Sequence, residues 1–127
     1  MTKTILDSDN HLFCLLTGNH HPAHIDHEYA KKTKHGKPLV VGTYIFSLVV
    51  GMSVDDISRE AIANLSYDSI IHHKPVFVGD TIRAESEIMS IKKQKTTFVK
   101  HVKTTAYNQH DEKVLSYERK ILFDKWS

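Results

Sequence analysis

The stretch that most constrains the fold is a run of 14 residues, from Leu39 to Met52, that is apolar on every face. A run of this length without polar alternation favours a helix over a strand, despite its valines. A helix that is hydrophobic all round has to be wrapped by the rest of its domain. At about 21 Å it would be too short to cross a bilayer, so the sequence predicts a central helix inside a globular domain.

Beyond residue 58 the hydrophobic pattern changes to a period of two, which is typical of strands. Turn signals at 79–80, 92–95 and 108–112 separate the predicted strands. A helix followed by antiparallel strands indicates an α+β fold, with the sheet curled around the helix. A sheet this short leaves its helix partly uncovered, so we expect a second copy to cover it in a homodimer or a dimer-based oligomer. The residues predicted to face the core are Ala61, Ala63, Leu65, Tyr67, Ile71, Ile82, Ala84, Ile88, Phe98, Val102, Ala106, Leu115, Tyr117, Ile121 and Phe123.

Size and charge narrow the function classes. At 127 residues the chain is long enough for one core but not for two, so a single domain over 1–127 is expected. A net charge of +2, with no basic run interleaved with aromatic residues, argues against a nucleic acid or an acidic membrane as partner.

The single cysteine, Cys14, lies in an apolar run and is predicted to be a buried structural thiol. The N-terminus lacks the apolar segment of a signal peptide, so a cytoplasmic location is expected.

Residues 15–30 carry the side chains best suited to chemistry. Four histidines and Asp26 lie in a short turn, broken by glycine and proline, between two helix-like segments: the histidines are His20, His21, His24 and His27. An imidazole held at a fixed angle in a cleft is the usual group for proton transfer near neutral pH. The segment therefore indicates an acid–base site.

The same segment predicts local helix boundaries. Asp7 or the serine after it is predicted to cap a first helix, and Gly18 is predicted to end it in a left-handed conformation. Pro22 is expected to keep the next turn irregular. Asp26 is expected to cap a second helix over 27–33.

Three phrases occur in a familiar order and spacing: LLTGNHHPAH at 15–24, PLVVG at 38–42 and PVFVGDT at 75–81. Together they resemble the motifs of MaoC-like, hot-dog-fold (R)-specific enoyl-CoA hydratases over nearly the whole chain. The phrases VGTYIF and AIANLSYD are most similar to MaoC-type proteins of branched C4–C5 dicarboxyl-CoA metabolism, such as mesaconyl-CoA hydration. The resemblance implies a hot-dog domain over 1–127 and a CoA thioester as substrate, with no cofactor because the thioester itself activates the double bond.

The resemblance also assigns roles to particular residues. His24 stands at the proton-transfer position, and Asn19 stands where the family has a catalytic aspartate. The backbone N–H of Gly42, at the N-terminus of the central helix, is implied to polarise the thioester carbonyl. Tyr44 and Ser47, on that helix, are candidates for lining an acyl tunnel. The amide of Asn19 can orient a water but takes no proton at neutral pH. Proton transfer would then fall on His24 alone, or another group of the turn would take the place of the aspartate: Asp26, His20 or His21.

Several alternatives stay open at this point. A metal held by the clustered histidines is one, although H-H-x-x-H-x-x-H matches no standard zinc pattern. The lysines after the motif either meet the phosphates of coenzyme A or form an ordinary solvated edge: Lys31, Lys32, Lys34 and Lys37. Thioester hydrolysis by a hot-dog thioesterase is an alternative to hydration, although such enzymes use a carboxylate to direct the water. A further alternative is that the protein is a non-catalytic subunit, which binds acyl-CoA or pairs with an active partner.

Overall fold

A computed structural model describes residues 1–125 and shows four helices and five strands within them. In chain order these are β1 (Thr2–Thr4), α1 (Asp7–Thr17), α2 (Pro22–Ile25), α3 (His27–Lys31), α4 (Gly42–Met52), β2 (Ala61–His72), β3 (Thr81–Lys93), β4 (Thr97–Tyr107) and β5 (Lys113–Asp124). A single π-helical turn, Val54–Ser58, follows α4. None of the helices in this part of the chain is long and apolar enough to span a membrane.

The five strands form one antiparallel sheet in the order β1-β3-β4-β5-β2. The predicted period-two segments are strands, and the turns at 79–80 and 108–112 are confirmed. The turn predicted at 92–95 lies at 94–96 instead, because β3 continues to Lys93. Gly79 has φ 96°, which supports the tight turn before β3. The strands β1 and β2 form the two edges of the sheet.

Helix α4 packs its buried residues, among them Ile45 and Val49, against the sheet. The apolar run is longer than this helix. Its first three residues are extended, because Val40 N–H donates to the Val76 carbonyl at 2.9 Å and Leu39 bridges to Phe77. Within this chain the helix is only partly covered, since Thr43 and Ser47 are exposed, which agrees with the expectation that a single short sheet leaves part of it open.

The core consists of two apolar clusters, and the buried side chain of Arg119 is a polar exception within the fold. Ile45, Val49 and Leu115 belong to the larger one, and Ile121 and Phe123 to the smaller. The fully buried guanidinium donates from Nη2 to Ser53 Oγ at 2.8 Å and from Nη1 to Asn64 Oδ1 at 3.3 Å. It therefore joins the end of α4 to the edge strand β2.

Strand β2 does not bury the face that its period predicts. Leu65, Tyr67 and Ile71 are 53%, 40% and 49% exposed, and Ile62 and Ile70 on the same strand are exposed as well. In β3, the predicted core residue Ile88 is also exposed, at 48%. Strand β2 is an edge strand with no neighbour on its outer side within residues 1–125. Among the described residues, strand β1 pairs only with residues 81–83 of β3, so Ile88 also has no strand on that side.

The boundaries around the histidine segment are partly as predicted. Gly18 ends α1 at φ 73° and Asp26 caps α3 by accepting the Tyr29 N–H at 3.0 Å, as expected. The predicted cap of α1 is wrong, because Leu6 occupies the N-cap and its N–H donates to Asp9 Oδ2 at 2.9 Å. Pro22 starts the helix α2 instead of leaving the turn irregular, since its ring suits a first helical position. Helix α3 ends at Lys31, two residues before the predicted end.

Candidate active site

His24 lies in α2, half-buried, and its ring is held by one strong contact. Nδ1 is 2.7 Å from the carbonyl oxygen of Leu39. A carbonyl oxygen only accepts, so Nδ1 carries the hydrogen and Nε2 of the neutral ring is left as the basic nitrogen. Within residues 1–125 no hydrogen bond engages Nε2. The structure thus holds the imidazole in the tautomer that a general base needs.

A buried asparagine that sequence reasoning missed supports this arrangement. Asn10, in α1, is fully buried and donates from Nδ2 to the carbonyl oxygens of His24 at 3.0 Å and Leu39 at 3.2 Å. Its Oδ1 accepts the N–H of Val41 at 3.0 Å. One side chain therefore ties α1 to the histidine turn and to the start of α4. The sequence signal for Asn10 was its position four residues before Cys14, which places this polar residue on the buried side of α1.

Asn19 follows the glycine that ends α1 and is half-buried. Its Oδ1 accepts the backbone N–H of His21 at 3.4 Å, and no hydrogen bond among the described residues joins its side chain to His24. The structure places Asn19 and His24 on the same segment, at either side of the start of α2.

The N-terminus of α4 lies beside a cavity of about 260 Å³. Gly42 is the first residue of the helix, and within residues 1–125 its N–H has no acceptor. Donors at a helix N-terminus attract a developing negative charge. Neither His24 nor Asn19 lines this cavity, which is formed by Leu39, Val40, Gly42, Ile45, His72, His73, Lys74, Pro75 and Val76. Leu39 connects this cavity to His24, because its carbonyl oxygen accepts the hydrogen bond from His24 Nδ1.

His72, at the end of β2, is a second residue that the sequence did not reveal. A Cβ built on Gly42 would lie 3.0 Å from Cε1 and 3.2 Å from Nε2 of His72, so the imidazole ring lies directly against the glycine. Any side chain at position 42 would require the imidazole to shift by a few tenths of an ångström. Its sequence signal was weak, because His72 is one of two adjacent histidines near the end of a strand.

The other two predicted site residues occupy different environments. Tyr44 is half-buried and packs on Phe13, with ring centroids 5.5 Å apart. Burial, and after it the nearby charge of Asp9, raise the pKa of Tyr44 above its ordinary value. Ser47 is exposed, one helical turn beyond Thr43, and faces away from the core of this chain.

The remaining histidines of the segment do not form the metal cluster considered from the sequence. His21 caps α2, with Nδ1 accepting the Ala23 N–H at 3.0 Å, and its ring is 5.9 Å from that of His24. Asp26 is engaged in capping α3. His27 turns instead toward Asp7, with Nε2 to Oδ2 at 3.0 Å. His20 is exposed beside α1.

The lysines after the motif also take separate positions. Lys31 pairs with Glu28 at 2.9 Å on the surface of α3. Lys37 lies over the ring of Phe77, with Nζ 4.4 Å from the centroid. Lys32 and Lys34 are exposed. Cys14 is 1% exposed, as predicted, and burial raises the pKa of its thiol, which disfavours a nucleophilic role.

A family model described as the MaoC-like domain matches residues 1–113. The chain belongs to the MaoC-like dehydratase family. A mesaconyl-CoA hydratase of Cereibacter sphaeroides is 35% identical to this MaoC-like chain over 125 residues, which are 97% of the chain and 36% of the relative. A β-methylmalyl-CoA dehydratase of Chloroflexus aurantiacus is 30% identical over 125 residues, with the same two coverages, 97% and 36%. This chain thus spans about a third of the length of these curated relatives.

Solved structures place the MaoC-like chain in the hot-dog fold. A putative MaoC domain dehydratase from Chloroflexus aurantiacus superimposes with a TM-score of 0.93 at 29% identity, covering 100% of this chain and 37% of that one. A monoamine oxidase regulatory protein from Archaeoglobus gives 0.89 at 32% identity, covering 98% and 86%. A Mycobacterium tuberculosis protein with a double hot-dog fold gives 0.87 at 19% identity, covering 98% and 39%. The predicted hot-dog fold is confirmed.

Proposed function

We propose that this MaoC-like domain adds water to an enoyl-CoA thioester, or removes it from the 3-hydroxyacyl-CoA form, with His24 as the proton-transfer residue. The observation that carries the proposal is the 2.7 Å bond between His24 Nδ1 and the Leu39 carbonyl. It fixes the tautomer whose free Nε2 accepts a proton, in a segment that is also tied to the start of α4.

In the hydration direction, Nε2 of His24 removes a proton from water as the oxygen bonds to C3 of the enoyl group. The electron pair of the double bond moves toward the thioester, whose oxygen becomes negative. The N–H of Gly42 donates to that oxygen, and the helix dipole of α4 stabilises its charge. The imidazolium then returns the proton to C2, so atoms and charge balance without a cofactor.

Asn19 is assigned the orientation of the water. Its amide offers both donors and an acceptor, which suits a water that must point one lone pair at C3. An amide does not take the proton, and this places both transfers on His24. Tyr44 and Ser47 are assigned to the acyl-binding side of α4.

We propose an acyl group with a branch or a terminal carboxylate, as in mesaconyl-CoA. The support is the similarity to the mesaconyl-CoA hydratase and the β-methylmalyl-CoA dehydratase, which match this chain over 97% of its length. Because α4 keeps exposed positions and β2 is an open edge in the single chain, the domain is expected to act in an assembly with a second hot-dog domain.

That second domain is proposed to be another copy of this chain. Strand β2 exposes Ile62, Leu65, Tyr67, Ile70 and Ile71 along an unpaired edge. Such an edge is open to pairing with another strand, and burying its apolar side chains favours association. A homodimer joined along β2 would cover the side of the sheet that is open in the single chain.

The test is the loss of enoyl-thioester absorbance with purified protein and crotonyl-CoA, then mesaconyl-CoA. Turnover of either supports hydration, and faster turnover of mesaconyl-CoA supports the dicarboxyl preference. Absence of turnover on both, with CoA thioesters still bound, overturns the catalytic proposal in favour of a binding subunit. This second candidate is favoured by one observation, the amide at position 19.

Asn19→Asp separates the two candidates. If the natural protein is a hydratase that works with asparagine, the variant changes the rate modestly. If the protein has lost catalysis with the carboxylate, the variant creates turnover where the natural chain has none. A positioned base contributes about 10²–10⁴ in rate, so the second outcome is easily seen.

A further inference from the structure

Three side chains that the proposed reaction does not use meet at the beginning of α1. Asp7 and His11 are four residues apart on that helix, and His27 is the first residue of α3. Asp7 Oδ2 is 3.0 Å from His27 Nε2, and Asp7 Oδ1 is 3.6 Å from His11 Nε2. The carboxylate therefore lies between two imidazoles that come from different helices.

The hydrogen bonds of this cluster leave one atom unexplained. Asp7 Oδ1 is hidden from solvent, and no group among the described residues donates a hydrogen bond to it. At 3.6 Å, His11 Nε2 is too distant to serve as that donor. The Asp7 side chain as a whole is 43% exposed, but this one oxygen is enclosed without a donor from residues 1–125, and such an exception calls for a specific cause, for example an ion.

The donor set suits a transition metal. Two imidazole nitrogens and one carboxylate oxygen are ligands that Zn²⁺ and its neighbours in the first transition row accept, and two histidines with one carboxylate recur in metal sites. The three donor atoms all lie within 4.8 Å of one another. A tetrahedral Zn²⁺ with bonds of about 2.0–2.1 Å needs its ligands roughly 3.4 Å apart. Small side-chain rotations close that difference, because all three groups are partly exposed.

We propose that Asp7, His11 and His27 bind one divalent transition-metal ion, with Zn²⁺ as the reference, and that the ion stabilises the fold around the histidine segment. The ligands come from both sides of residues 18–26, the stretch that carries Asn19 and His24. A bound ion links the start of α1 to the start of α3 and restricts the separation of the ends of this stretch. The site is independent of hydration, since it contains no residue assigned to that reaction.

The experiment is calorimetric titration of ZnCl₂ into the full chain after treatment with a chelator, together with the thermal midpoint with and without Zn²⁺. We expect one saturable site per chain and a rise in the midpoint that the chelator reverses, because a ligand that binds only the native state stabilises it. Co²⁺ in place of Zn²⁺ should give the visible absorption of a histidine-bound ion.

Variants identify the ligands. His27→Ala, His11→Ala and Asp7→Asn are each expected to weaken Zn²⁺ binding at least tenfold, about 1.4 kcal/mol, while the chelated variants stay folded by circular dichroism. The matched control is His20→Ala, which removes an exposed histidine of the same segment outside the cluster and should leave the affinity unchanged. Asp7→Asn preserves shape and tests the carboxylate itself.

Three results would overturn the proposal: no saturable binding, binding that survives the loss of His27, and equal weakening by His20→Ala. The last would indicate diffuse binding to a chain that contains 10 histidines. Hydratase activity plays no part in these measurements, so a failed metal site and a failed enzymatic proposal remain distinguishable.

Discussion

The side chain of Asn10 accepts the backbone N–H of Val41 at 3.0 Å and so fixes the residue that immediately precedes Gly42. The same amide donates to the carbonyl oxygens of His24 and Leu39. The proposed base and the proposed oxyanion donor are therefore held relative to each other by one buried group from α1. Their positions depend on this polar contact as well as on apolar packing.

Replacing Asn10 by alanine should affect stability and catalysis together. The His24 carbonyl and the Val41 N–H lose their side-chain partner, whereas the Leu39 carbonyl keeps the His24 ring. Leaving a buried group unsatisfied costs about 1–3 kcal/mol in general, so we expect a loss of about 2 kcal/mol or more in the free energy of unfolding. Urea denaturation measures it. The turnover number should fall more than the Michaelis constant rises, because positioning is impaired. Leu12→Ala, an exposed position on the same helix, is the control, and an active, equally stable Asn10→Ala would contradict the role.

Gly42→Ala tests the contact between the start of α4 and His72. The new Cβ would lie 3.0 Å from His72 Cε1, but this ring is the far end of an exposed side chain and can move. We expect a change in unfolding free energy below about 1 kcal/mol. The rate on an enoyl-CoA should nevertheless fall tenfold or more, since the methyl group enters the cavity beside the N–H of residue 42. His72→Ala alone, measured in parallel, reports the contribution of the ring, and full activity of Gly42→Ala would remove Gly42 from the site.

Asp9 is predicted to contribute to the loss of fold stability in acid. The pKa of its carboxyl is lowered first by the hydrogen bond from Lys3 and then by the Leu6 N–H. Because the folded-state pKa is below the unfolded value, the stabilisation is complete above about pH 4 and is lost as the pH falls through the folded-state value. Asp9→Asn should lower stability at pH 7 by about 1 kcal/mol, the size of a helix-capping contact. It should also flatten the decline of the thermal midpoint below pH 4, and an unchanged decline would refute the assignment.

The dimer proposed along β2 is tested by Leu65→Lys. This residue is 53% exposed in the single chain, so a lysine there costs the isolated fold little. In a dimer joined along β2 it introduces two buried charges, and the mass measured by light scattering should fall from two chains toward one. Leu16→Lys, at an exposed leucine of α1, is the control and should leave the mass unchanged. A dimer that survives Leu65→Lys would show that the interface lies elsewhere than along β2.

The sequence predicted the strands and the central helix because their patterns reflect local rules, namely alternation, turn residues and a continuous apolar run. The exposure of Leu65 and Ile71 was not predictable in this way, because period two marks a strand but does not tell an edge from a centre. The same limit applies to the site. The sequence motif identified His24. The contacts of Asn10 and His72, by contrast, join residues that are 14 or more positions apart, and these contacts form only when the chain folds.

Proton transfer by His24 is tested by comparing the initial rate of mesaconyl-CoA hydration in the natural protein and in His24→Asn. The amide of the variant can still donate to the Leu39 carbonyl, but it has no basic nitrogen. We expect a rate lower by about 10²–10⁴ with little change in the thermal midpoint. The control His110→Asn, at an exposed histidine in the turn before β5, should stay at the natural rate. A His24→Asn protein that hydrates as fast as the natural one would contradict proton transfer by His24.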